Sequence, residues 1–205
     1  MKPHNYAIVF IPLAIILSNF TFLLFNTGFY EKESEKNGVY SVLNRDEVNT
    51  ETKGILAYFR GGEETFHTEF FNPRERIHLL QVREIIRKVL FMWISVLALF
   101  LISLFLHPNF YKVFLYGGLA SIVILILMSL FFIGFSSNFV AFHEVFFKDN
   151  TWMLDPETDN LVKMFPEQFF IDFLKRLVFS SILTSAVVAA APFLLKRFKK
   201  KKDKF

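Results

Sequence analysis

Four stretches of this 205-residue chain contain no Asp, Glu, Lys or Arg: residues 6–30, 89–107, 113–143 and 177–195. A helix rises about 1.5 Å per residue, so about 19 apolar residues make about 28 Å, the thickness of a bilayer's hydrocarbon core. Helices buried in soluble proteins normally keep a polar stripe along one side, and these stretches have none. The pattern predicts an all-α membrane protein built as a four-helix transmembrane bundle. The spans fall near residues 7–25, 89–106, 115–135 and 177–195, within a single membrane domain over 1–205. Lys2 before the first span would also suit a cleaved leader. However, the apolar run exceeds the usual 7–15 residues, and Phe25-Asn26-Thr27-Gly28 offers no small-x-small cleavage site, so a retained anchor is expected.

Charge sets the orientation. The net charge of +4 is concentrated in the tail 196–205, where seven bases face one acid and leave the remainder slightly acidic. Bases in short flanking segments stay cytoplasmic. That places both termini inside and the two larger segments, 26–88 and 136–176, outside, in a multi-pass cell-membrane protein. Arg83, Arg87 and Lys88 at the outer mouth of the second span run against the rule. Long external segments weaken it, so the tail decides. A basic excess confined to one tail describes no nucleic-acid surface, and it suits anionic membrane lipid at the inner leaflet. With no Cys, disulfides, thiolate nucleophiles and Cys-based metal sites are excluded together.

The external segments read as a small extracellular cap of short helices with a short strand. Residues 45–60 carry Val48, Ile55, Leu56 and Phe59 at helical spacing, ended by Gly61-Gly62. Alternation over 64–71 predicts the strand. Asn72-Pro73-Arg74-Glu75 reads as a helix start, with Asn as N-cap and Pro at the first helical position, and that helix leads into the second span. Asp155-Pro156-Glu157 and Phe165-Pro166-Glu167 read as two further starts. Phe139, Phe142, Phe146, Phe147, Trp152, Phe165, Phe169 and Phe170 crowd the boundary and predict an aromatic interface belt.

The spans hold no ionisable residue in their middles, which disfavours coupled transport. Neither GxxxxGK[ST], GxGxxG nor G-x-S-x-G occurs. His143-Glu144 begins like a zincin helix, but Phe147 stands where the second His is required, so no metal site is expected. Of five His, His4 and His107 fall on the cytoplasmic side, while His67, His78 and His143 are external and near the membrane. Glu75 shares a helix face with His78. Two imidazoles on separate helices could present an acid and a base to one substrate. Tyr58, Asn138 and Glu144 are polar candidates for the same pocket, and Trp152 for its apolar lining.

Asn72-Pro73-Arg74-Glu75-Arg76-Ile77-His78-Leu79 and Asn138-Phe139-Val140-Ala141-Phe142-His143-Glu144-Val145-Phe146-Phe147 resemble the lipoprotein intramolecular transacylases of bacterial cell membranes. The likeness continues through Asn150-Thr151-Trp152, Asp155-Pro156-Glu157-Thr158-Asp159-Asn160-Leu161 and Met164-Phe165-Pro166-Glu167-Gln168-Phe169-Phe170. It implies an acyltransferase acting on a diacylated membrane lipoprotein; donor ester and acceptor amine then belong to one molecule, so no cofactor is expected, and the protein is expected to be a monomer. One ester-linked chain moves to the α-amino group of the N-terminal Cys, giving an N-acyl lyso-lipoprotein. It also implies two catalytic His, which map to His78 and His143; His78 is assigned as base and His143 as proton donor or oxyanion stabiliser. The sequence departs from the H-x-x-D-V expected after the first His, with Gln81 in the acid's place, so an orienting acid would fall to Glu75 or another group. The competing expectation is a non-catalytic membrane adaptor that binds another membrane protein through its extracellular segments.

Overall fold

The computed structural model describes residues 5–62, 68–106, 110–147 and 149–202. Eight α-helices run in chain order among them: α1 (Asn5–Leu24), α2 (Thr27–Lys36), α3 (Arg45–Phe59), α4 (Pro73–Leu106), α5 (Phe110–Ser129), α6 (Phe135–Phe146), α7 (Asn160–Met164) and α8 (Glu167–Lys202). Three 3-10 turns supplement them, at Val39–Ser41, Leu130–Phe132 and Asn150–Trp152. α1, α4, α5 and α8 are long and apolar enough to cross a membrane, as the charge-free stretches predict. α4 and α8 begin well before their apolar runs, so lead-in and span are one helix in each case.

The chain forms two compact units. Unit 1 comprises residues 1–21, 91–130 and 176–205. Its core sets Ala7, Ile11 and Ile15 of α1 against Val113 of α5, with Phe100 and Leu104 of α4 and Val188 of α8 around them. Glycine makes this approach possible. A Cβ on Gly117 would lie 2.6 Å from Ile11 Cδ1, and one on Gly118 would lie 2.8 Å from the backbone of Ser185 and Ala189. Two small residues in series thus admit α1 on one side of α5 and α8 on the other. Polar side chains fasten the helices: Trp93 Nε1 donates to Ser18 Oγ at 2.9 Å and Asn19 Nδ2 to Thr184 Oγ1 at 3.3 Å. Large apolar groups such as Phe91, Phe105, Ile126 and Val187 are exposed, as expected of surfaces whose solvent is hydrocarbon.

Unit 2 comprises residues 22–90 and 131–175. α3 starts where Asn44 accepts hydrogen bonds from the N–H groups of Asp46 and Glu47 at 2.9 and 3.2 Å. It buries Val48, Thr52, Ile55, Leu56 and Phe59, the face its spacing predicts. α2 adds a helix the sequence reading does not contain; its Tyr30 packs between Phe165 and Phe169, at centroid distances of 6.0 and 5.3 Å.

Four expectations change. The aromatic belt divides: Phe147 and Phe169 are buried in unit 2, whereas Phe142 and Phe146 are exposed. Of the expected strand, residues 64–67 lie outside the described residues, and from Thr68 to Phe71 the chain turns, with Phe70 N–H donating to Thr68 Oγ1 at 3.1 Å. Asp155-Pro156-Glu157 forms a turn and no helix; α7 starts only after Asp159, because Asp159 N–H closes back on the Asp155 carbonyl at 2.8 Å. Finally, the third span does not run through Phe135. Gly134 takes φ of 65°, a left-handed conformation, and restarts the chain as α6.

Candidate active site

Every sequence-selected residue belongs to unit 2. α4 starts as its sequence dictates. Asn72 Oδ1 accepts the N–H groups of Arg74 and Glu75 at 2.9 and 3.1 Å, and Glu75 Oε2 accepts Asn72 N–H at 2.7 Å. This reciprocal capping box fixes the first turn and places His78 in the second. Glu75 Oε1 also accepts the Leu161 N–H at 2.5 Å, which ties the start of α7 to the start of α4. Asn72 Nδ2 adds a bond to Asp159 Oδ1 at 2.7 Å.

His143 lies near the end of α6. Its ring centre is 6.1 Å from that of His78, with the planes 31° apart, so the two imidazoles meet although 65 residues separate them in sequence. Each is only 8% exposed. Phe147 packs against both rings, at 4.7 Å from His78 and 5.3 Å from His143. Phe139 and Trp152 flank His143 at 4.3 and 4.9 Å. Phe135, Phe139, His143 and Phe147 recur every fourth residue, so a single inward stripe of α6 and the residue after it carries the His and its aromatic walls.

The electrostatics of the two rings follow from this enclosure. The charged turns of α4 precede its apolar run, and His78 lies among them. Burial, then the proximity of His143, pushes the His78 pKa down to about 4, against the opposing influence of Gln81 and Asp149. Burial also lowers the pKa of His143, opposed by a hydrogen bond to the Phe139 carbonyl. Both rings are therefore neutral near pH 7. His143 Nδ1 stands 2.7 Å from that carbonyl oxygen. A carbonyl only accepts, so Nδ1 carries the proton and Nε2 keeps its lone pair. His78 Nδ1 is buried with no hydrogen-bond partner.

The other candidates divide. Trp152 lies against His143, with ring centres 4.9 Å apart. Glu75 is 1% exposed and spends both carboxylate oxygens on backbone N–H groups; burial raises its pKa, and the Leu161 and Asn72 N–H bonds oppose that shift. Asn138 donates from Nδ2 to the Phe131 and Ile133 carbonyls, both at 2.9 Å, and so seals the break at Gly134. Tyr58 is buried on α3 beneath the Arg83 guanidinium, 4.2 Å from its ring centre. Glu144 is exposed. Sequence reasoning passed over Asp149 and gave Thr151 no role beyond its place in the family likeness. Gln81 Nε2 donates to Asp149 Oδ2 at 2.8 Å, and Thr151 Oγ1 lies 2.8 Å from Gln81 Oε1. The available signal was Asp149 as the cap of a short turn leading to Trp152. Among the described residues no group of three or more His, Cys, Asp or Glu could hold a metal ion.

Three solved structures match the whole architecture, all of the membrane integral lipoprotein intramolecular transacylase Lit from Bacillus cereus. The first aligns with a TM-score of 0.83 at 21% identity, covering 98% of this chain and 96% of that one. A variant with one His replaced by Ala gives 0.82 at 20% identity over 97% and 94%, and a variant with His replaced by Arg gives 0.78 at 21% over 98% and 93%. No curated protein matches the sequence. At this identity the structures establish the shared fold of a membrane-integral protein. The family follows from the sequence itself: residues 6–170 match the model of the lipoprotein intramolecular transacylase Lit, so the chain belongs to that family of acyltransferases.

Proposed function

We propose that this protein moves an ester-linked acyl chain from the diacylglyceryl group of a membrane lipoprotein to the α-amino group of that lipoprotein's N-terminal Cys, by acid–base catalysis at His78 and His143. The observation that carries this reading is the buried imidazole pair, 6.1 Å between ring centres. Hydrogen bonds of about 2.8 Å from each ring can reach one reacting carbonyl and its attacking nitrogen.

Donor ester and acceptor amine belong to one substrate molecule, so no activated co-substrate is consumed. The α-ammonium, with a pKa of about 8, must lose a proton before it can attack. Nε2 of His143 takes it, since Nδ1 is committed to the Phe139 carbonyl. The nitrogen then bonds to the ester carbon, and neutral His78 donates an N–H to the developing oxyanion, as an imidazole of lowered pKa can without itself carrying charge. The tetrahedral intermediate collapses with cleavage of the C–O bond, and His143 returns the proton to the departing glyceryl oxygen. As the nitrogen becomes the amide it sheds its second proton to solvent, so atoms and charge balance with one proton released for each α-ammonium converted. These roles reverse the sequence-based assignment, and the reason is the His143–Phe139 hydrogen bond. Holding amine and ester together contributes further, since well-oriented intramolecular reactions reach effective molarities of about 10⁵ M.

Both His come from one chain, so a monomer suffices. The site faces outward and the termini face the cytoplasm, on the charge argument. Turnover of a diacylated lipopeptide, with amide linkage identified in the fragment bearing the N-terminal Cys, tests the activity. His78→Gln and His143→Gln should each lower the rate by about 10² to 10⁴-fold while the protein stays folded. Undiminished turnover in either variant overturns the mechanism. An unchanged Cys fragment with the wild-type protein overturns the reaction and returns the adaptor reading.

A further inference from the structure

We infer that Asp149 is the positioning acid of this site, holding His78 through Gln81 and His143 through Trp152. The inference rests on the catalytic reading of the two His above. Gln81 lies one helical turn after His78 on the same face of α4, and its Nε2 donates to Asp149 Oδ2 at 2.8 Å. The other carboxylate oxygen, Oδ1, accepts the Thr151 N–H at 3.3 Å and the Thr151 hydroxyl at 2.6 Å. Asp149 thereby caps the 3-10 turn Asn150–Trp152. The last residue of that turn is Trp152, tilted 30° against the His143 ring at 4.9 Å. One carboxylate thus bonds the neighbour of the first His and shapes the turn that supports the second. Arg74 braces the same turn from α4, through the carbonyls of Asn150 and Met153.

The Thr151 hydroxyl hydrogen bond holds the Asp149 carboxyl below its ordinary range, so it is ionised whenever the enzyme works. The titratable groups acting on His78 are His143 on α6, which disfavours its protonation, and Asp149, which favours it. Glu75, the only acid in the first two turns of α4, has both oxygens engaged elsewhere. Gln81 itself is uncharged, and the negative charge stands across from it in the loop, at Asp149.

Asp149→Asn should lower kcat about tenfold or more with little change in KM, the size typical of removing a group that orients a functional side chain. It should also move the His78 imidazole titration, followed by NMR in detergent, to lower pH. Adding Gln81→Asp to Asp149→Asn returns a carboxylate beside His78 and should restore both the titration and part of kcat. A carboxylate that only anchors the loop predicts lower thermal stability, an unmoved His78 titration and no recovery in the double variant, and that result overturns the inference. His78→Gln run in parallel separates the two readings. If it is fully active, the catalytic reading fails; if it is inactive while Asp149→Asn matches wild type, only the present inference fails.

Discussion

His78 shows how much one residue's environment changes its chemistry. Its burial and the neighbouring imidazole lower its pKa to about 4, against about 6.5 for a free His. The unfolded chain therefore takes up a proton at a pH where the folded one refuses it. Stability is full above about pH 6.5 and is lost as pH falls toward 4, by up to about 3 kcal/mol from this group. Thermal unfolding in detergent across that window should show wild type losing more than His78→Gln on acidification; parallel curves would contradict the burial argument. The rate should fall over an overlapping range, because protonated His143 cannot accept the amine's proton. Glu75 makes the opposite point. Its sequence position beside His78 invited a role in orienting the ring, whereas the structure gives its carboxylate to two backbone N–H groups. Glu75→Ala leaves those buried donors unpaired and should destabilise the protein by about 3 kcal/mol or more, measured by thermal unfolding.

At the scale of elements, the starts of α3, α4 and α8 were legible, whereas α2, the turn at residues 155–157 and the break at Gly134 were not. Asn72-Pro73 and Pro166-Glu167 carry their own capping and N1 chemistry, and α4 and α8 begin at Pro73 and Glu167. The end of the third span was misplaced because apolar composition continues unbroken from Phe131 to Phe135, and only the left-handed Gly134 separates the helices. A Cβ at Gly134 would meet nothing within 4 Å, so Gly134→Ala acts through backbone conformation alone. It should cost about 1–2 kcal/mol and, by disturbing the restart of α6, lower transacylation more than Gly118→Ala does at equal loss of stability. Gly118→Ala instead drives a methyl to 2.8 Å from α8 backbone atoms, so its effect should appear as a lower unfolding temperature. Equal activity losses at matched stability would show that the Gly134 conformation has no bearing on the site.

For the whole molecule, the absence of native Cys makes the proposed topology directly testable. Glu157→Cys and Lys196→Cys are both at exposed positions. In intact cells an impermeant maleimide should label the first and spare the second until the membrane is opened; the reverse pattern would invert the orientation drawn from the basic tail. The sequence by itself determined the four spans, the starts of α3, α4 and α8 and the family likeness, because length without charge, caps and local motifs act over a few neighbouring residues. It also named both imidazoles. Tertiary structure alone decided that they lie together, that a carbonyl of α6 fixes the tautomer of one, and that Asp149 rather than Glu75 stands by Gln81. Those are contacts between residues as many as 70 positions apart. They depend on how helices pack and where loops close, which no local pattern of residue types encodes.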